Sequence, residues 1–242
     1  MCADLVIVHL YPVLLRTYGD RGNVLALQRR AEWRGFLVDV VPVSRGERVP
    51  KNPGIVLVGG GTDRIQQALG SDWRDRGREL AQSAREGTVI LGVCGGYQLL
   101  GKLYVSADGT STEGLGLIEV ETRAGDGRLV GRVRATAELW GSRFDLVGFE
   151  NHGGRTTLGP GATPLAIVRM GGGNNGRDGS EGAVQGSVVG TYLHGPVLPS
   201  HPQLADAILK RALSGVTGGG ALHPLEDGLE ERAHGHARTL RR

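Results

Sequence analysis

The chain has only two cysteines among its 242 residues, and one of them, Cys2, lies at the N-terminus. Two cysteines so placed form no disulfide framework, which excludes the small disulfide-stapled secreted proteins and fits a reducing cytosol. We find no N-terminal apolar segment typical of a signal peptide and no apolar run long enough to span a bilayer. We therefore expect a soluble, cytoplasmic protein.

Runs of like charge are missing as well. The net charge is only +3, and aromatic residues make up 5% of the chain. Without a basic stretch interleaved with aromatic residues, a nucleic-acid-binding surface is not indicated. Glycine, in contrast, is abundant at 42 residues. Because Val, Ile and Leu runs recur between the glycines, they indicate tight turns instead of disorder.

Complete nucleotide-binding motifs are also missing. Residues 96–102 begin like a P-loop, but Leu103 stands where the motif needs a Ser or Thr for magnesium. Residues 171–176 match G-x-G-x-x-G, but no helix is predicted after them to hold a pyrophosphate, so we predict a mobile surface loop there. We therefore expect no ATP site, no other cofactor and no metal site in this chain.

The first hundred residues alternate between apolar runs and helical patterns, which is typical of βαβ units. Strands are predicted at 5–10, 36–43, 55–58 and 89–93, and helices at 20–33, with Asp20 as the cap, and at 65–86, with a break near Gly70. We expect an α/β fold with a central, mostly parallel sheet flanked by helices.

From residue 114 the pattern changes to short strands joined by glycine-rich turns. We predict strands at 116–122, 129–138, 145–149, 165–170, 183–184 and 188–192, which add β-hairpins to the second half of the fold. A helix is predicted at 202–213. Residues 1–213 would form one domain, and residues 214–242 a flexible break followed by a charged, helical segment.

Cys94 lies in the most informative stretch of the chain, TVILGVCGGYQLLG. The apolar run 89–93 predicts a buried strand, and the residues after the cysteine predict a helix. A strand, a sharp turn with small residues and a helix form a nucleophile elbow, here as G-x-C-x-G. The helix N-terminus would favour the thiolate form of Cys94. The alternative is a buried structural cysteine at the end of a strand.

A nucleophilic cysteine needs a base and donors for the developing oxyanion. His194 is the first candidate for the base because it ends a predicted strand and precedes a turn. His152, in a predicted loop, is the second candidate. The backbone N–H groups of Gly60, in a Gly triplet directly after a strand, and of Gly95 are the candidate oxyanion donors.

Five ordered motifs together resemble the class I glutamine amidotransferases of the branch associated with cobyric acid synthesis. Within that branch they look like the GatD-type glutaminase subunits of lipid II isoglutaminyl synthases. The motifs are YGDRGN (18–23), GGGTDR (59–64), GVCGGYQLLG (92–101), GFENHGGRT (148–156) and TYLHGP (191–196).

The resemblance implies a class I glutamine amidotransferase fold, with Cys94 as nucleophile and His194 as its base. It also implies that Arg128 holds the substrate glutamine, since a guanidinium can clamp an α-carboxylate with two hydrogen bonds. Gln98, one helical turn after the cysteine, would line the same pocket.

The family also implies a partner. A Mur-ligase-like (MurT-type) subunit would bind ATP and magnesium, receive the ammonia and amidate the D-glutamate α-carboxylate of the lipid II stem peptide. The chain would then act in peptidoglycan synthesis, and hence in cell wall biogenesis and cell shape, as half of a heterodimer.

One departure from the wider class concerns the group that orients the histidine. The usual carboxylate two residues after it is replaced by Pro196. Glu150 and Asp206 are candidates for this role, and a partner chain could also supply it. Two alternatives stay open: a glutaminase that serves another acceptor such as a corrinoid acid, and a non-catalytic binding protein with this fold.

Overall fold

A computed structural model describes residues 3–239, apart from the side chain of Tyr18. The centre of the protein is a six-stranded sheet. Its strands are β1 Leu5–Leu10, β2 Val38–Val43, β3 Ile55–Val58, β4 Val89–Val93, β11 Ala183–Gln185 and β12 Val188–Thr191. They lie in the order β11-β12-β4-β3-β1-β2, and every neighbouring pair is parallel except β11 and β12. The predicted mostly parallel sheet is confirmed.

Helices cover both faces of this sheet. The helices are α1 Arg21–Glu32, α2 Asp63–Asp75, α3 Gly77–Arg85, α4 Gly95–Leu100 and α5 Pro202–Ala212. Alternate residues of the strands contribute to two separate apolar clusters, one packed against α1 and α5 and the other against α2, α3 and α4. Strands buried on both faces read as unbroken apolar runs, which is why the sequence located them well.

Two helix predictions need comment. The break near Gly70 is present, since that residue has φ 45° and ψ −121° and interrupts α2. Asp20, however, does not cap α1 with its side chain. Its carboxylate instead accepts a hydrogen bond from the Gly60 N–H at 2.6 Å. The Asp20 carboxylate thus accepts a long-range N–H donor in place of the local helix N–H that the sequence suggested.

The second half of the chain forms a second, mainly antiparallel sheet dominated by one long hairpin. Its strands are β5 Leu103–Val105, β6 Ser111–Glu113, β7 Val120–Leu139, β8 Ser142–Leu158, β9 Ala166–Met170 and β10 Ser180–Glu181. The predicted separate strands at 116–122 and 129–138 are wrong: β7 begins inside the first range, at Val120, and continues through the second, with a register irregularity between Ala124 and Leu129. The intervening glycines, which suggested a turn, are accommodated as a bulge.

The C-terminal part folds back onto the domain. After α5 come α6 Ser214–Thr217 and α7 Gly228–Thr239. The Arg30 guanidinium forms salt bridges with both Asp206 and Asp227, and the Arg238 guanidinium lies 2.9 Å from the Asp145 carboxylate. The charged segment that we predicted near the C-terminus contains α7, whereas the flexible break before it and a domain boundary near residue 213 stay predictions. Along residues 3–239 we find no helix with the length and apolar character needed to cross a membrane.

Candidate active site

Three sequence motifs meet at one edge of the central sheet. The Gly59–Gly61 triplet follows β3, Cys94 follows β4, and His194 lies three residues after the end of β12. These strands are adjacent and parallel, so their carboxyl ends share an edge, where sites of open α/β sheets lie. The Cys94 N–H donates to the Thr191 carbonyl at 2.8 Å, which ties the elbow to the strand that leads to His194.

The backbone at Cys94 is strained, as expected for a nucleophile elbow. Its φ is 51° and its ψ is −105°, a conformation that residues other than glycine rarely adopt. A Cβ on Gly96 would lie 2.2 Å from the Val58 carbonyl oxygen, and one on Gly92 would lie 2.9 Å from the Tyr97 nitrogen. Only glycine fits at these two positions, which explains the pattern around the cysteine.

A cavity of about 490 Å³ opens beside Cys94. This volume lies in the range typical of small-molecule sites. Its lining combines residues from both sheets, among them Gly61, Asp63, Cys94, Gln98, Arg128 and Asn151. The predicted nucleophile and the predicted substrate-binding residues therefore share one cavity.

Burial holds Cys94 and His194 in their neutral forms. It raises the pKa of the Cys94 thiol to about 12, although the Gly95 N–H opposes this effect. Burial also lowers the pKa of His194 to about 4, with smaller contributions from His152 and Arg128. This direction opposes the predicted resting thiolate, because desolvation of the charged form outweighs the donor at the helix start. A neutral imidazole is, however, the form that can accept a proton from the thiol.

The predicted oxyanion donors need one correction. Gly95 fits the prediction, since its N–H faces the sulfur. The Gly60 N–H instead donates to Asp20 and does not serve the cavity. Gly61 lines the cavity, and its N–H donates no hydrogen bond to any described residue. Gly61, one residue later than predicted, therefore replaces Gly60 as the candidate for the second donor.

Arg128 lies beside the nucleophile in space, although 34 residues separate them in the sequence. Its Nε–H donates to the Asn151 side-chain oxygen and an Nη2–H to the Asn151 carbonyl, both at 2.7 Å. Asn151 thus fixes one edge of the guanidinium and leaves Nη1 and part of Nη2 for a ligand. Sequence reasoning missed Asn151 because the antiparallel pairing of β7 with β8 brings it there.

Gln98 borders the cavity, but its amide is engaged in a buried network. Its carbonyl accepts the Gln66 amide at 2.9 Å, and its own amide donates to the Tyr192 hydroxyl at 3.2 Å. Asp63 is a second residue that the sequence did not single out. It lines the cavity, and one of its oxygens accepts the Tyr104 hydroxyl at 2.8 Å.

His152 also lies at the cavity, inside β8 and not in a loop. Its ring stacks on Tyr192 with centroids 3.7 Å apart, and Nδ1 contacts the Gly154 carbonyl at 2.9 Å. Nε2 lies 3.7 Å from Glu150. These contacts indicate a packed, structurally engaged histidine, so His194 stays the predicted base.

Both carboxylates suggested as the orienting group of His194 accept other hydrogen bonds in the structure. The Glu150 carboxylate accepts the N–H groups of Gly172 and Gly173 at 2.7 and 2.8 Å. These bonds, together with the fully buried Asn174, show that residues 171–176 are anchored and not a mobile surface loop. Asp206 is paired with Arg30 and Arg34. Among residues 3–239, no group of three or more His, Cys, Asp or Glu side chains is arranged to hold a metal ion.

Comparison with known proteins agrees with this geometry. Residues 6–202 match the CobB/CobQ-like glutamine amidotransferase domain. The chain is 38% identical to the GatD subunit of the lipid II isoglutaminyl synthase (glutamine-hydrolyzing) of Staphylococcus aureus, over 86% of this chain and 84% of that protein. It is 37% identical to the Streptococcus pneumoniae GatD subunit, over 87% and 81%.

A solved glutamine amidotransferase of Thermotoga maritima has the same fold. It superposes with a TM-score of 0.53 at 15% identity and covers 98% of this chain and 94% of its own. The family match over most of the chain shows which enzymes these motifs belong to. The chain is therefore a member of the CobB/CobQ-like glutamine amidotransferase family, and it is similar to GatD subunits along most of its length.

Proposed function

We propose that this chain hydrolyses L-glutamine through a covalent thioester on Cys94. One observation carries the proposal: Cys94 and Arg128, which lie far apart in sequence, line the same cavity. The neutral His194 at the same sheet edge supports it, because a thiol with a raised pKa needs a nearby base at the moment of attack.

The reaction begins when His194 takes the thiol proton as the sulfur attacks the side-chain amide carbon. Negative charge develops on the amide oxygen, where the N–H groups of Gly61 and Gly95 can stabilise it. The imidazolium then gives its proton to the leaving nitrogen, and ammonia departs as the thioester forms. Water, deprotonated by His194, attacks the thioester; glutamate leaves and the proton returns to the Cys94 sulfur.

The cavity also has groups for both charges of a free amino acid. Arg128, with one edge held by Asn151, can clamp the α-carboxylate. The Asp63 carboxylate lies in the same cavity and suits the α-ammonium group. Opposite charges in one small cavity favour a zwitterion over an amide inside a peptide chain.

A second subunit must use the ammonia, since we assign no ATP site to this chain. By similarity to GatD subunits, we propose a Mur-ligase-like partner that holds ATP and magnesium and amidates the D-glutamate α-carboxylate of the lipid II stem peptide. The complex would be a cytoplasmic heterodimer of peptidoglycan synthesis, and the chain itself would need neither cofactor nor metal. The lack of an orienting carboxylate after His194 suggests that the isolated chain is a poor glutaminase.

The test combines the chain with a Mur-ligase-like subunit, ATP, magnesium, glutamine and lipid II, and follows the stem peptide by mass spectrometry. We expect a mass change of one amidation that requires both subunits and disappears with Cys94→Ser. Amidation of a corrinoid acid in place of lipid II would favour the cobyric acid synthase-like alternative. Failure of the wild-type complex to release glutamate from glutamine would overturn the glutaminase itself.

A further inference from the structure

The YGDRGN motif at residues 18–23 has no part in the reaction described above, yet it contacts two of the loops that form the site. We propose that Asp20 is a positioning residue: it fixes the glycine triplet after β3 so that the Gly61 N–H faces the reacting amide. This inference rests on the proposed glutaminase activity and adds a residue to it.

The hydrogen bonds of the triplet carry the argument. Asp20 is 1% exposed, and its Oδ2 accepts the Gly60 N–H at 2.6 Å. On the next peptide, the Gly60 carbonyl accepts the Thr17 N–H at 3.1 Å. In a trans peptide the carbonyl and the following N–H point in opposite directions, so the Gly61 N–H points away from Thr17. Two consecutive peptides are thereby pinned, and one N–H is left to serve a ligand.

The position of that remaining N–H fits an oxyanion donor. A Cβ built on Gly95 would lie 2.8 Å from the Gly61 nitrogen, so the two candidate donors are neighbours. A Cβ on Gly59 would lie 2.2 Å from the Leu15 carbonyl oxygen and 2.8 Å from Asp20 Oδ2. Glycine is thus required for the carboxylate to approach, and because glycine has little torsional preference, an external group must set the peptide direction.

The same motif holds the other loop of the site. The Asn23 side-chain oxygen accepts the Leu198 N–H at 2.9 Å, four residues after His194. A Cβ on Gly22 would lie 2.4 Å from Pro196 Cγ, so only glycine permits this contact. Asn23 Nδ2 also lies 3.4 Å from Asp20 Oδ1. The start of α1 therefore joins the loop of the oxyanion donors to the loop of the base.

The experiment compares Asp20→Ala with Asp20→Asn in the co-expressed complex with the ligase subunit. The asparagine carbonyl can still accept the Gly60 N–H, whereas alanine cannot. Loss of one oxyanion donor typically lowers kcat by about 10²–10³-fold. We expect such a loss for Asp20→Ala, with KM for glutamine changed by less than about threefold because Arg128 is untouched. For Asp20→Asn we expect kcat within about tenfold of wild type.

A second readout separates positioning from general damage. Alkylation of Cys94 by iodoacetamide is a displacement at a saturated carbon and develops no oxyanion, so its rate should not fall by more than about threefold in Asp20→Ala. Asp72→Ala is the matched control: the Asp72 carboxylate also accepts a glycine N–H, that of Gly46 at 2.7 Å, but Gly46 does not line the cavity. This control should keep wild-type kcat.

The outcomes are distinguishable. If the wild-type complex does not hydrolyse glutamine, the proposed function fails, and this inference fails with it. If wild type is active and Asp20→Ala stays within tenfold of its kcat, or loses alkylation in parallel with hydrolysis, the inference alone is overturned. Should Asp20→Ala not fold, Asp20→Leu, of similar size and without an acceptor, replaces it; if neither folds, Asp20 is a folding residue and the inference is also overturned.

Discussion

Replacing Arg128 by lysine tests how the cavity selects its substrate. Two of the five guanidinium N–H groups are held by Asn151, at 2.7 Å each, which leaves three for a ligand. A lysine keeps the positive charge, but it has no planar guanidinium and cannot make the pair of hydrogen bonds to Asn151. It would therefore lose at least one charge-assisted hydrogen bond to the α-carboxylate of glutamine.

A hydrogen bond to a charged group contributes about 1.5–3 kcal/mol. At about 1.4 kcal/mol per factor of ten, Arg128→Lys should lower kcat/KM by about 10- to 150-fold. Most of the loss should appear as a higher KM, because the retained charge preserves the field at Cys94. Arg132→Lys is the matched control, since Arg132 is exposed on the same strand and does not line the cavity.

The assay measures ammonia release from glutamine and from 4-aminobutanamide, which lacks the α-carboxylate. Wild type should strongly prefer glutamine, and Arg128→Lys should lose most of that preference because the analogue has nothing for the fork to bind. Unchanged KM and kcat, or equal losses on both amides, would refute the reasoning and return Arg128 to a structural role on β7.

Three further predictions follow from the site and the core. Cys94→Ser should lower glutamine hydrolysis by at least about a thousandfold in a folded protein. An epoxide analogue of glutamine should label Cys94 but not Cys2, which peptide mass mapping can check. His194→Ala should lower kcat by at least about a hundredfold and His152→Ala much less, and the reverse order in steady-state kinetics would show that the wrong base was chosen. Burial lowers the pKa of His201 to about 4. Between pH 4 and pH 6.5 the unfolded chain therefore binds more protons than the folded protein, and the free energy of unfolding falls as the pH falls through that range. His201→Asn should reduce the loss of unfolding free energy between pH 7 and pH 4.5 by about 2 kcal/mol in urea titrations, and an unchanged pH dependence would contradict the assignment.

The parallel sheet was predictable because its central strands are mainly apolar runs flanked by turns. Leu5–Leu10, Ile55–Val58 and Val89–Val93 appear in the structure at the predicted bounds. The long hairpin was not predictable in the same way. Gly125 and Gly127 interrupt the local pattern, and only the unbroken partner strand shows that β7 continues through them.

In the site, too, the local features were predictable and the long-range contacts were not. The elbow around Cys94 is a local feature, because the torsional freedom of glycine and its small size are properties of the residues themselves. The position of His194 followed from its place at the end of a strand. The sequence did not indicate Asn151 or Asp63 as cavity residues, and it did not indicate Gly61 in place of Gly60 as the candidate donor. Each of these depends on a hydrogen bond or a cavity formed between distant segments.

The sequence by itself determined the class of fold and predicted the candidate nucleophile and base, because apolar periodicity and glycine spacing act over a few residues. Only the tertiary structure decided which N–H groups remain open to substrate and which protonation states the site holds. A backbone N–H faces substrate only if no buried acceptor takes it first, and at Gly60 that acceptor is Asp20, 40 residues earlier in the chain. The neutral Cys94 and His194 likewise follow from burial, a property of the packed molecule that no short segment encodes.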